Sequence, residues 1–146
     1  MSDQTPVTVH MQIPSDTRYL AALGSLLEAL VEIREPSLGY PLQLALTEAV
    51  ANAIKHGTCN QASGEVGMDL FIDAQAVRMR VHDHGPGFDL ESVEVPDEDE
   101  LSDHGRGLQI IRALVDSLSY GPTPAGNTLE MIKFFPPPAA AEPDDS

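Results

Sequence analysis

The chain has 146 residues, 42% of them hydrophobic and 21% charged, which suits one globular domain and argues against a disordered one. A domain of this size buries roughly 68–70% of its unfolded surface, enough for a core and one internal pocket. Its formal charge of −15 repels phosphate backbones and anionic membrane surfaces, so neither nucleic acid nor membrane is an expected partner.

No apolar run reaches the roughly 20 residues of a membrane span, and MSDQTPVTVH is not a signal peptide. The one cysteine, Cys59, cannot close an internal disulfide, which fits a reducing compartment and makes the cytoplasm the expected location.

Val7, Val9, Met11 and Ile13 alternate with polar residues and predict a half-buried strand that Pro14 ends. Ser15 or Asp16 can cap a helix reaching about Arg34. That helix sets Tyr19, Leu20, Leu23, Leu26, Leu27, Leu30 and Ile33 on one broad face, read as core. Pro36 and Gly39 break the chain, Pro41 suits a first helical turn, and a second helix runs to about His56 and stops at Gly57.

Val66, Met68, Leu70 and Ile72, then Val77, Met79 and Val81, predict two strands of a hairpin turning through Asp73–Gln75. A polar loop covers roughly 89–106; from Asp89 to Asp103 it holds eight acids and no base. From Gly107 a third helix carries Leu108, Ile111, Leu114, Val115 and Leu118. Thr128–Phe135 forms a last strand, with Tyr120 opening a short one before it. The order predicts an α+β fold, a two-layer sandwich with helices on one face of a mostly antiparallel sheet. One domain spans residues 1–135, and the Pro/Ala/acidic tail 136–146 reads as disordered.

Three segments carry chemistry. In LQLALTEAVANAIKHG, Glu48 and Asn52 lie one turn apart on a face continued by Lys55 and His56, among small alanines. That is the floor of a pocket, or a structural Glu48–Lys55 or Glu48–Asn52 contact on an exposed stripe. On the strand 77–84, Asp83 falls on the inward side with Val77, Met79 and Val81. Gly85 and Gly87 after it let the backbone approach a ligand closely, although for the pentapeptide DHGPG alone a turn-capping aspartate is the better reading. Gly105-Arg106-Gly107 precedes a helix start, where free N–H groups can hold an anion. His82 and His84 have no third ligand at zinc spacing.

In order, Glu48-x3-Asn52-x3-His56, Asp83-x-Gly85-x-Gly87-Phe88-Asp89 and Gly105-Arg106-Gly107-Leu108 resemble the GHKL, or Bergerat-type, ATP-binding fold. LALTEAVANAIKHG, VHDHGPGFD and GRGLQIIRALVD are similar to the anti-sigma-factor serine kinases of the RsbW/SpoIIAB type, over about residues 7–135. The resemblance implies a histidine-kinase-like ATP-binding domain that uses ATP and Mg²⁺. It implies Asn52 as the metal ligand and Glu48 as the base activating an acceptor hydroxyl. It also implies Asp83 at the adenine amino group, with His56, Gly85, Gly87, Gly105, Arg106, Gly107 and Leu108 around the nucleotide.

The implied activity is transfer of the ATP γ-phosphate to a serine of a STAS-type anti-anti-sigma protein, with sequestration of a sigma factor or other regulator. The alternative is a nucleotide-dependent protein-binding regulator without kinase activity. Such proteins are commonly homodimers, and the first helix offers a surface, although its pattern does not separate dimerisation from core packing. Two departures stand out: the acidic lid Glu91–Asp103 lacks any base, and the late Gly-Thr pair appears as Gly126-Asn127-Thr128.

Overall fold

The computed structural model describes residues 5–57, 64–84, 103–124 and 126–137. Five strands, β1 (Val7–Pro14), β2 (Glu65–Ile72), β3 (Ala76–Asp83), β4 (Ser117–Thr123) and β5 (Gly126–Phe134), form one sheet in the order β1-β2-β3-β5-β4. Every neighbouring pair is antiparallel. Helices α1 (Leu20–Glu32), α2 (Gly39–Asn52) and α3 (Asp103–Leu114) form the second layer, α2 packing between the other two. The α+β sandwich expected from the sequence is the fold.

Strand alternation explains the core. Val66, Met68, Leu70 and Ile72 of β2 and Val77, Met79 and Val81 of β3 point at the helices and are buried, each 3% exposed or less. Leu42, Ala45, Leu46, Ala49 and Val50 of α2 meet them from above, and Leu108 and Ile111 of α3 close one flank. The β2–β3 turn is held by Asp73, whose Oδ1 accepts from the N–H groups of Gln75 at 2.7 Å and Ala76 at 2.9 Å. Those two hydrogen bonds hold its carboxyl below the usual range, against a smaller opposing effect of burial.

Three expectations shift. Asp16 does cap, accepting from Arg18 N–H at 2.9 Å, but it caps a 3₁₀ turn over Thr17–Tyr19 that leads into α1. Of the broad apolar face of α1, Leu23 and Leu27 are buried, whereas Tyr19, Leu26 and Ile33 are 41%, 38% and 79% exposed. A helix lying on one layer buries a narrower stripe than seven residues, and Val31, missing from the expected face, completes it.

The third helix begins at Asp103 rather than Gly107 and ends at Leu114, so Leu118 belongs to β4. An acid is favourable at a helix N-terminus, and interior glycines cost only about 1 kcal/mol each. Asp116 ends the helical run by pairing with β5: its N–H donates to Ile132 O at 2.8 Å, and its Oδ2 accepts from Phe134 N–H at 2.8 Å.

Candidate nucleotide site

Glu48 and Asn52 occupy the C-terminal half of α2, one turn apart, as the sequence requires. Glu48 is half-buried and Asn52 is 9% exposed. Among the described residues no salt bridge joins Glu48 to Lys55, which is exposed. The structural Glu48–Lys55 pair considered from the sequence is therefore not what holds the acid in place. After Asn52 the backbone widens into a π-helical turn, Ala53–Gly57, and this turn packs against β3. Such turns recur at functional sites because the extra residue re-aims neighbouring side chains. Nothing in the residue pattern announces it.

Gly107 of α3 sits against both side chains. A Cβ at Gly107 would lie 2.7 Å from Asn52 Nδ2 and 3.2 Å from both Asn52 Oδ1 and Glu48 Oε2. Only glycine lets α3 come this close to α2 without displacing the amide and the carboxylate. Gly105, Arg106 and Gly107 therefore lie inside the first two turns of α3, not in a loop ahead of it. The unsatisfied N–H groups that could hold an anion belong to the turn starting at Asp103. Leu108 is 1% exposed and sits in the core, where it seats α3.

The Asn52 amide has an unmet need. Its Nδ2 is buried and has no hydrogen-bond partner among the described residues. An unpartnered buried amide costs about 1–3 kcal/mol, a cost seldom kept without a ligand to meet it. An amide oxygen beside a carboxylate is also the donor set a hard cation takes, so these residues fit Mg²⁺.

Asp83 ends β3 on the helix-facing side, after Val77, Met79 and Val81, and is 5% exposed. It is thus a carboxylate at the end of an apolar row. Its cross-strand neighbour is Asn127, whose Nδ2 donates to Asp83 Oδ1 at 3.4 Å. Gly126 just before has φ of +113°, and a Cβ there would collide with the Asp83 carbonyl oxygen. Glycine at 126 is therefore what brings β5 against Asp83 at this point.

Asn127 is the site residue that sequence reasoning overlooked. Counting back along β5 from the buried Met131 and Leu129 puts Asn127 on the inward face and Thr128 on the other. Thr128 accordingly meets His82 on the open face of the sheet, with 2.8 Å between Oγ1 and Nδ1. Gly85 and Gly87, like the acidic stretch 89–102, lie outside the described residues. So do the side chains of His56 and Arg106.

Helices over one face of an antiparallel sheet are the architecture of GHKL-type kinase domains. The chain belongs to the histidine kinase-like ATPase domain family, whose family model matches residues 13–133. It is 32% identical over 122 residues to an anti-sigma F factor of Anoxybacillus flavithermus, a match covering 80% of this chain and 77% of that one.

A serine-protein kinase RsbW of Oceanobacillus iheyensis is 26% identical over 124 residues, covering 75% of this chain and 76% of the relative. Among solved structures, the RsbU and RsbW domains of a Mycobacterium tuberculosis protein superpose with a TM-score of 0.63 at 20% identity. That match covers 90% of this chain and 33% of the other. The histidine kinase domain of an Erythrobacter litoralis blue-light-activated kinase gives 0.52 at 19% identity, covering 83% and 61%. Among the described residues no helix is long and apolar enough to cross a membrane.

Proposed function

We propose that the chain is an ATP-dependent protein serine kinase of the partner-switching kind, acting in the cytoplasm as an anti-sigma factor or similar regulator. The supporting observation is the convergence of Glu48, Asn52 with its unpartnered Nδ2, and Gly107 at one place, with buried Asp83 and its half-buried partner Asn127 at the paired ends of β3 and β5. Asp83 accepts a hydrogen bond from the adenine amino group, and Gly85 and Gly87 leave the base room. Backbone donors of the first turn of α3, through Gly105 and Arg106, meet the phosphates, and Gly107 lets that turn lie close to Asn52 and Glu48. Leu108 fixes α3 to the core, and His56 borders the nucleotide. Asn52 holds Mg²⁺ through its amide oxygen. The ion, when bound, offsets negative charge on the phosphates.

Glu48, one turn from Asn52, takes the proton of the acceptor serine. The rest of the rate comes from holding donor and acceptor in line. The acceptor is a serine of a STAS-type anti-anti-sigma protein, and the protein sequestered in its absence is a sigma factor, with the kinase acting as a homodimer. Kinases of this kind are named among the relatives, and Glu48 favours this reading over a binding module without catalysis. Incubation with Mg-ATP and a STAS-type anti-anti-sigma protein, followed by mass spectrometry, should yield one phosphoserine. Nucleotide-dependent binding without phosphoserine would favour the non-catalytic regulator.

A further inference from the structure

On the open face of the sheet, opposite the helices, a hydrogen-bonded chain crosses the strands. His10 Nδ1 and His82 Nε2 meet the two oxygens of Asp69 at 2.7 and 2.6 Å. His82 Nδ1 lies 2.8 Å from Thr128 Oγ1, which lies 2.9 Å from Thr123 Oγ1. Thr123 Oγ1 donates to the Gly126 carbonyl at 3.1 Å. This end of the chain is directly behind the adenine-facing pair, because His82↔Thr128 and Asp83↔Asn127 are successive cross-strand pairs.

Counting protons gives the one arrangement in which every bond of this chain is met. A carbonyl only accepts, so the Thr123 hydroxyl hydrogen points at Gly126. Thr128 must then donate to Thr123, which leaves it no hydrogen for His82, and Nδ1 must donate to Thr128. At the other ring nitrogen, an ionised Asp69 only accepts, so Nε2 must donate as well. Partial burial raises the Asp69 pKa, but hydrogen bonds from His10 and His82 outweigh it and hold the carboxyl below its usual range. All the bonds are met at once only with both ring nitrogens of His82 protonated.

We infer that His82 is a positioning residue whose imidazolium, through Thr128 and Thr123, orients the Gly126–Asn127 start of β5 against Asp83 and thereby tunes nucleotide affinity with pH. This rests on the reading of Asp83 as the adenine contact. Loss of the proton from Nδ1 to solvent makes that nitrogen an acceptor. The Thr128 hydrogen then swings to it, the Thr123 hydrogen swings to Thr128, and the bond to Gly126 O is lost. Solvent reaches the ring from a groove of about 660 Å³ lined by His82, Thr123 and Thr128.

Among the described residues, the other titratable or charged groups around the ring are Asp69 on β2, His10 on β1, Arg80 on β3 and His84 just after it, Glu130 on β5 and Tyr120 on β4. Arg80 and Glu130 pair with each other, so Asp69 is the carboxylate that acts on His82.

The test joins Mg-ADP calorimetry from about pH 6 to about pH 8, the range where imidazoles titrate, with nitrogen-15 spectra of the histidine side chains. Affinity should fall as pH rises, by about fivefold or more, the lower end of couplings between linked sites. His10→Gln should keep the slope, Thr123→Ser should keep it, and Thr123→Val should abolish it. The spectra should show His82 protonated on both nitrogens at the acid end and losing the Nδ1 proton as affinity falls.

Binding with a flat profile, a slope that survives in Thr123→Val, or a neutral His82 throughout would overturn the inference while leaving the adenine contact standing. No ADP binding at any pH would instead remove the nucleotide reading and this inference with it.

Discussion

Asn127 donates from Nδ2 to Oδ1 of Asp83 across the β5–β3 ladder, tying the buried carboxylate to the strand beside it. An isolated buried carboxylate is costly, so this partner matters for the shape of the pocket as well as for its charge. In the proposed site, Asp83→Asn should abolish the thermal stabilisation given by ADP. With the wild type, ligand at 100 times its dissociation constant should add about 2.7 kcal/mol of stability. Asn127→Asp, which sets two acids together, should weaken binding without unfolding the chain. Thermal melts with and without ADP measure both.

Asn52 carries a stability cost in the free protein. Its unpartnered Nδ2 predicts that Asn52→Leu leaves the ligand-free chain as stable as wild type or raises it by up to about 1 kcal/mol. The same variant should lose the magnesium-dependent part of nucleotide affinity and little else. Denaturant unfolding and calorimetry in Mg²⁺ or EDTA check the two halves; equal weakening in EDTA contradicts metal ligation.

Much of this was legible beforehand because it follows from periodicity. Val77, Met79 and Val81 fix the facing of Asp83, and the four-residue spacing of Glu48 and Asn52 fixes theirs. What escaped depends on packing between elements. The tight seat of Gly107 on α2 is a contact between elements, which no local pattern encodes. Exposure of Leu26 and Ile33 likewise depends on which side of α1 the other layer covers.

Asn127 was overlooked for another reason. Thr128 drew attention as part of a motif, while the two-residue period of β5 already assigned it to the opposite face.

Gly107→Ala tests the close seat of α3. The added Cβ would stand 2.7 Å from Asn52 Nδ2, and overpacking of this kind costs about 1–3 kcal/mol. Stability should fall by that amount and nucleotide affinity should fall with it, because Asn52 and Glu48 are the atoms displaced. Unfolding curves and ADP titrations on one preparation give both values.

Glu48→Gln should keep Mg-nucleotide affinity within about twofold and cut phosphate transfer by about 10²-fold or more, the usual contribution of a general base. Single-turnover transfer to the partner protein measures it. Full transfer would remove Glu48 from that role.

Asp69 predicts an acid-sensitive share of stability. Its carboxyl is held below the ordinary range in the folded chain, so the stabilisation is fully present above the unfolded value of about 3.9 and is lost as pH falls through the folded value. Asp69→Asn should cost about 1–2 kcal/mol at neutral pH, and the difference from wild type should shrink in acid. Denaturant midpoints at a series of pH values report the difference directly.

The account stands most directly on one titration, Mg-ADP into the purified chain followed by calorimetry, with Asp83→Asn in parallel. A saturable one-site heat for the wild type that vanishes in the variant is the predicted result. Equal heats from both proteins, or none from the wild type at millimolar nucleotide, would contradict it.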